Sequence, residues 1–146
     1  MPDHKYVSRI LWTGNRGEGT AHYRAYDRTW DIAVPGKAVV RCSNDPLLGG
    51  DPAKMNPEDL LLSALAACHM LWYLHYASEA GIVVTGYTDA PVGLGEVGRG
   101  GAGRFLKVTL RPRLEDRSFG QQTAPLPRQW AIQLARRRIR LSGEWD

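Results

Sequence analysis

With 146 residues, 43% hydrophobic and 23% charged, the chain has the make-up of one globular domain that buries a core without staples. Two cysteines exclude a disulfide scaffold, and Met1-Pro-Asp-His-Lys-Tyr6 holds no apolar signal core. The expected setting is therefore a reducing cytoplasm, where a cysteine is free, redox-active or simply packed. The net charge of +4 is uneven: six arginines lie after Asp116, with Arg136, Arg137 and Arg138 consecutive. This raises nucleic-acid binding as a function, but no interleaved aromatic platform or docking motif accompanies the arginines, so a solvated helix face is the stronger reading.

Taken in order, residues 6–13 (Tyr-Val-Ser-Arg-Ile-Leu-Trp-Thr) are rich in β-formers and predict a strand. The cluster Gly14-Asn-Arg-Gly-Glu-Gly19 then turns and places Arg16 at a loop tip. Residues 20–26 predict a second strand, 29–34 a third and 38–42 a short edge piece, so that 1–42 forms an antiparallel meander. Residues 43–55, with two Asp-Pro steps, form a long loop.

The stretch 56–80 reads as one helix with both ends written in. Asn56 caps the first turn, Pro57 suits the first helical position, and Glu58 and Asp59 oppose the positive end of the dipole. Gly81 supplies the left-handed stop. Leu60, Leu61, Leu62, Ala64, Leu65, Ala66, Ala67, Met70, Leu71, Trp72 and Leu74 leave almost no polar face, so the helix is expected to be buried on most sides. Ser63, Cys68, His69 and Tyr73 interrupt the apolar run, and no membrane span is expected from it.

Beyond the helix, residues 82–90 and 105–112 predict the strands of a β-hairpin over 82–113, the second with Leu106, Val108 and Leu110 alternating against Lys107, Thr109 and Arg111. The link between them contains Gly93-Leu-Gly-Glu-Val-Gly98, a literal G-x-G-x-x-G. A dinucleotide site needs a strand before this pattern and a helix opening on it, and here it runs on toward a strand, so the link reads as a hairpin tip. Residues 115–127 read as a loop and 127–141 as a C-terminal helix. Strands, a buried helix, strands and a second helix make a single α+β domain over 1–146.

Cys68 sits in the middle of the long helix. An unpaired cysteine among alanines and leucines is ordinarily a packing residue. A reactive thiol needs a nearby cation or a helix N-terminus, and Cys68 lies some three turns in, so the cation must come from elsewhere. His69 points about 100° away from Cys68 around the helix, while His75 lies nearly on its face. Without a second cysteine or a Cys-x-x-Cys pair, no metal site is expected, and no cofactor is implied.

Asn56-Pro-Glu-Asp-Leu-Leu followed by Ala-Leu-Ala-Ala-Cys68-His-Met resembles the signature of the OsmC/Ohr family of osmotically induced and organic hydroperoxide resistance proteins. Trp12-Thr-Gly-Asn-Arg-Gly-Glu-Gly-Thr20 is similar to that family's N-terminal hairpin. The resemblance covers about residues 6–113. It implies an OsmC-like fold of antiparallel sheets wrapped around the central helix, in an intertwined homodimer, and a thiol-dependent peroxidase that reduces organic hydroperoxides. By this resemblance Cys68 is the peroxidatic cysteine, Arg16 and Glu58 orient and activate it, and Leu65, Leu71 and Trp72 wall a pocket for a lipid-like or aryl hydroperoxide. A guanidinium stabilises a thiolate by opposite charge and hydrogen bonding, and a carboxylate fork holds the guanidinium.

Glu58 and Cys68 are ten residues apart, about 15 Å along a straight helix. They share one arginine only if Glu58 comes from a second chain whose helix runs antiparallel, which agrees with a homodimer. The chain also departs from the family pattern, because the peroxidases carry a resolving cysteine on the second long helix and here no cysteine follows Cys68. Three readings stay open. Cys68 works as a one-cysteine peroxidase reset by an external thiol; Cys42 substitutes as resolver; or the protein keeps the fold without efficient turnover and binds small hydrophobic molecules or, less readily, nucleic acid through its Arg-rich end.

Overall fold

The computed structural model describes residues 3–97 and 103–116. The expected C-terminal helix at 127–141 and its arginines lie outside the described residues. The chain divides into two compact units, with the boundary between Ser63 and Ala64.

The first unit is built on three antiparallel strands in the order β1-β2-β3: β1 (Arg9–Trp12), β2 (Thr29–Ala33) and β3 (Val40–Ser43). The register pairs Trp12 with Trp30 and Trp30 with Cys42, and the next row runs Ile10, Ile32, Val40. Side chains alternate across a strand, so these two rows share one apolar face. The opposite face carries Leu11, Asp31 and Arg41 in one row and Thr13, Thr29 and Ser43 in the next. A parallel bridge between Cys42 and Met55 lays residue 55 along the β3 edge, and the Ser43 amide donates to the Met55 carbonyl at 3.0 Å. Within the expected 43–55 loop, Pro46–Leu48 forms a single 3-10 turn. Asp45 Oδ1 accepts from the Leu47 amide at 2.7 Å, and Gly49 closes the turn at φ 80°.

Residues 20–26 do not form the expected strand. They run as successive turns with one isolated bridge, Asn15 to Tyr26. Side chains provide the reason. Asn15 Oδ1 accepts from the amides of Gly17 and Gly19 at 2.9 and 3.0 Å, which folds the loop on itself. The Arg28 guanidinium lies 4.0 Å from the Tyr23 ring centroid and 4.9 Å from that of Tyr26, and its Nη2 donates to the Tyr23 carbonyl at 3.0 Å. The β-formers of this segment are used on rings and turns instead of a ladder.

The helix α1 (Pro57–Glu79) follows with the expected ends. Asn56 Oδ1 accepts from the Asp59 amide at 2.8 Å, and Asp59 Oδ2 accepts from the Asn56 amide at 3.2 Å, a reciprocal capping box. At the far end Gly81 adopts φ 71° and the Ile82 amide donates to the Ala77 carbonyl at 2.9 Å. Burial corrects the sequence reading. Within the chain, Ala66, Tyr73 and Ala77 are the buried residues of α1, whereas Leu61 is 40% and Leu71 63% exposed. Part of the apolar surface of this helix is therefore exposed. The four interrupting residues also leave the mean hydropathy of an 18-residue window at 1.3, so by length and composition α1 is long and apolar enough to cross a membrane, contrary to the sequence expectation. The core helix of a globular protein meets the same criterion.

Among its described residues the second unit holds four strands where a two-stranded hairpin was expected: β4 (Val84–Asp89), β5 (Val92–Val97), β6 (Gly103–Thr109) and β7 (Pro112–Asp116). β4 pairs antiparallel with β7, and β5 with β6. The glycine pattern around 93–98 belongs largely to β5 and not to a tip. Gly93 fits there because a Cβ would come within 2.5 Å of the Phe105 ring, so the missing side chain makes room for the aromatic one across the ladder. The register slips between Leu94 and Gly95, which pair with Lys107 and Phe105, and leaves Leu106 as the extra residue of a bulge. The expected alternation breaks at that point, and Leu106 is exposed.

Candidate functional site

Cys68 lies at the centre of α1 and is exposed; Cys42 is buried. On a helix, positions three and four apart share a face, so Leu65, Leu71 and Trp72 lie on the same face of α1 as Cys68. Trp72 stacks on Tyr76 with ring centroids 5.6 Å apart and 28° between planes, and meets His75 edge-on at 5.7 Å. The turn below Cys68 thus presents aromatic surface. His75 is exposed and not a buried core histidine.

His69 faces another way. Its Nδ1 lies 3.0 Å from the Tyr87 hydroxyl on β4. Tyr87 packs against Tyr73 with ring centroids 6.1 Å apart. Burial, then the nearby Asp89 carboxylate and Tyr73, push the Tyr87 hydroxyl up to about 12, which keeps it a neutral hydrogen-bonding group. Asp89 Oδ1 accepts from the Arg111 amide at 2.7 Å, while Asp89 Oδ2 is buried with no hydrogen-bond partner among the described residues. The His69–Tyr87 pair was not visible in the sequence, since nothing in the spacing of two residues 18 apart announces it. It pins the turn that carries Cys68 to β4 through polar contact.

Arg16 sits at the loop tip, as expected, but it is already engaged. Its Nε donates to the Ala25 carbonyl at 3.2 Å, its Nη2 donates to the Arg24 carbonyl, and Asp27 Oδ1 lies 3.7 Å from Nε. The expected carboxylate partner, Glu58, is exposed in the first turn of α1, and within one chain Asp27 takes its place beside Arg16. Asp27 was missed because it lies in the short link between Tyr26 and β2 with no motif around it. The first turn of α1 uses Asp59, not Glu58, for its cap.

Cys42 cannot be reached by solvent, and burial, with the Asp31 carboxylate second, pushes its thiol up. Both effects disfavour the thiolate. A resolving role for Cys42 therefore has no support in the first unit.

Comparison with known proteins places these features. A structure of an OsmC-like protein of unknown function from Vibrio cholerae superposes with a TM-score of 0.71 at 23% sequence identity, covering 92% of this chain and 86% of that one. At that identity the likeness shows the fold: an α+β arrangement of antiparallel sheets with, among the described residues, one α-helix. No curated protein matches the sequence. The model of the OsmC-like protein family matches residues 49–126, which span α1, Cys68 and the four strands that follow. More than half of the sequence lies within that match, and the chain belongs to the OsmC-like family, which includes peroxidases.

Proposed function

We propose that the protein is a thiol-dependent peroxidase acting on organic hydroperoxides, with Cys68 as the attacking residue. The observation that carries this reading is the accessibility of Cys68, the one cysteine within the residues that match the family, on an apolar and partly aromatic helix face formed with Leu65, Leu71 and Trp72. The Cys68 thiolate attacks the terminal-side oxygen of ROOH, the O–O bond breaks, ROH leaves after taking a proton, and the sulfur becomes a sulfenic acid. Arg16 is the candidate cation for that thiolate, and the apolar face favours an aryl or lipid-like R group over hydrogen peroxide. With Cys42 sealed and no cysteine after Cys68, an external thiol resets the sulfenic acid by forming and then exchanging a mixed disulfide.

Dimedone added during exposure to cumene hydroperoxide traps one adduct per chain at Cys68 and none in Cys68→Ser. Absence of an adduct, together with no peroxide consumption under any thiol reductant, returns the chain to a non-catalytic binder of hydrophobic molecules.

The same reading includes a homodimer. An apolar helix with three buried residues leaves apolar surface that association removes from water, and the 15 Å between Glu58 and Cys68 along a helix calls for two chains if both serve one arginine. Light scattering at micromolar concentration yields twice the 16.2 kDa chain mass; a clean monomer removes the dimer and with it the shared role of Glu58.

A further inference from the structure

The second face of the β1-β2-β3 sheet carries a cluster of charged and hydroxyl side chains that the proposed peroxidase chemistry does not use. A cavity of about 250 Å³ is lined by Thr13, Thr29, Asp31, Arg41, Cys42 and Lys54. Apart from Cys42, whose row belongs to the other face, the register explains why these residues meet. Asp31 on β2 is directly opposite Arg41 on β3. Since Cys42 bridges Met55 in parallel, Lys54 follows beside Arg41, extending the row to Asp31, Arg41, Lys54. Thr29, two residues from Asp31, lies on the same face, and its hydroxyl meets that of Thr13 at 3.1 Å.

Charges in this row are unevenly satisfied. Lys54 is held by Asp51 at 3.0 Å. Asp31 and Arg41, although cross-strand neighbours whose Cβ atoms stand about 5 Å apart in such a pair, make no ion pair with each other, nor with any other of the described residues. Both groups line the same small cavity. A simple anion would meet Arg41 but also the Asp31 carboxylate, and a simple cation the reverse. The ligand that satisfies both is one that carries a carboxylate and an ammonium on neighbouring atoms.

From this juxtaposition of Asp31 and Arg41, cross-strand neighbours with no ion pair between them, at a threonine-lined cavity, we infer that the first unit binds a free α-amino acid. Arg41 takes the carboxylate through its planar fork, Asp31 accepts from the ammonium, and the Thr13 and Thr29 hydroxyls meet a short polar side chain. The volume suits this class, being below that of drug-sized ligand sites, roughly 300–1,000 Å³.

The test uses the intact protein and L-serine, which carries no thiol and so does not touch the redox chemistry proposed for Cys68. Isothermal titration yields saturable binding with a dissociation constant at or below about 1 mM. N-acetyl-L-serine and L-serinamide, each lacking one of the two charges, bind the wild-type protein at least about tenfold more weakly. Arg41→Gln and Asp31→Asn each weaken L-serine to the same degree, with unfolding midpoints near wild type because neither side chain has an ion pair among the described residues. No saturable binding overturns the inference. So does equal binding of N-acetyl-L-serine, which makes the cavity an anion site, or L-serine affinity unchanged in both variants.

Discussion

Arg16→Ala lowers the rate of cumene hydroperoxide consumption, with dithiothreitol as reductant, by about 10²–10³-fold. That is the magnitude expected when a preorganised charged donor is removed from a developing anion. Arg16→Lys restores only a small part, since an ammonium offers a point charge in place of a planar fork. The expectation rests on the proposed role of Arg16 beside a Cys68 thiolate, and the structure adds a control. Arg16 also clamps its own loop through the Ala25 and Arg24 carbonyls and Asp27, so the variant loses a little stability as well. The Arg16–Asp27 pair is half-exposed on both sides and contributes little by itself. A variant that folds with a midpoint close to wild type and still consumes peroxide at the wild-type rate assigns Arg16 to loop architecture and leaves Cys68 without its cation.

The second large effect is on folding. Gly14→Ala destabilises the protein by about 3 kcal/mol, the upper range for over-packing a site that cannot yield. Gly14 is buried, and a Cβ there would overlap the Asp27 carbonyl and approach Trp12 Nε1 to 2.7 Å. Those two groups are bonded to each other, with Trp12 Nε1 donating to the Asp27 carbonyl at 2.9 Å, while the Asp27 amide donates to the Gly14 carbonyl at 2.9 Å. One added methyl thus breaks the base of the Arg16 loop at two hydrogen bonds. Gly17→Ala is the matched control. Gly17 sits at φ 115° with nothing within 4 Å of a new Cβ, so it bears backbone strain alone, about 1 kcal/mol. Urea unfolding ranks Gly14→Ala well below Gly17→Ala; the reverse order means that the loop base rearranges freely.

How far the sequence reached can be argued residue by residue. Asn56, Pro57, Glu58, Asp59 and Gly81 marked both ends of α1 because capping is local chemistry, legible within five residues. The strands β2 and β3 were equally plain. What failed depended on partners far along the chain. The segment 20–26 has strand composition, yet Asn15 and Arg28 hold it in turns. The stretch around 93–98 looks like a loop until Phe105 is placed against Gly93. The end of β7 fell within the expected 115–127 loop because its signal comes from β4. At the site, Cys68 and its face of Leu65, Leu71 and Trp72 followed from helical spacing. Asp27 beside Arg16 and Tyr87 against His69 did not, since each joins residues separated by 11 or 18 positions with no pattern between them. The burial of α1 was over-read: apolar composition demands cover but does not say that the same chain supplies it.

The two cysteines have one more consequence, on the scale of supply and demand in a cell. Cys42 is sealed inside its sheet, so under the proposed chemistry the chain carries no spare thiol to reset itself. Its turnover is then set by the flux of an outside reductant, with peroxide abundance mattering only until every Cys68 is oxidised. When thiols run short, each molecule behaves as a single-use scavenger, and protection scales with the number of copies present instead of with their speed.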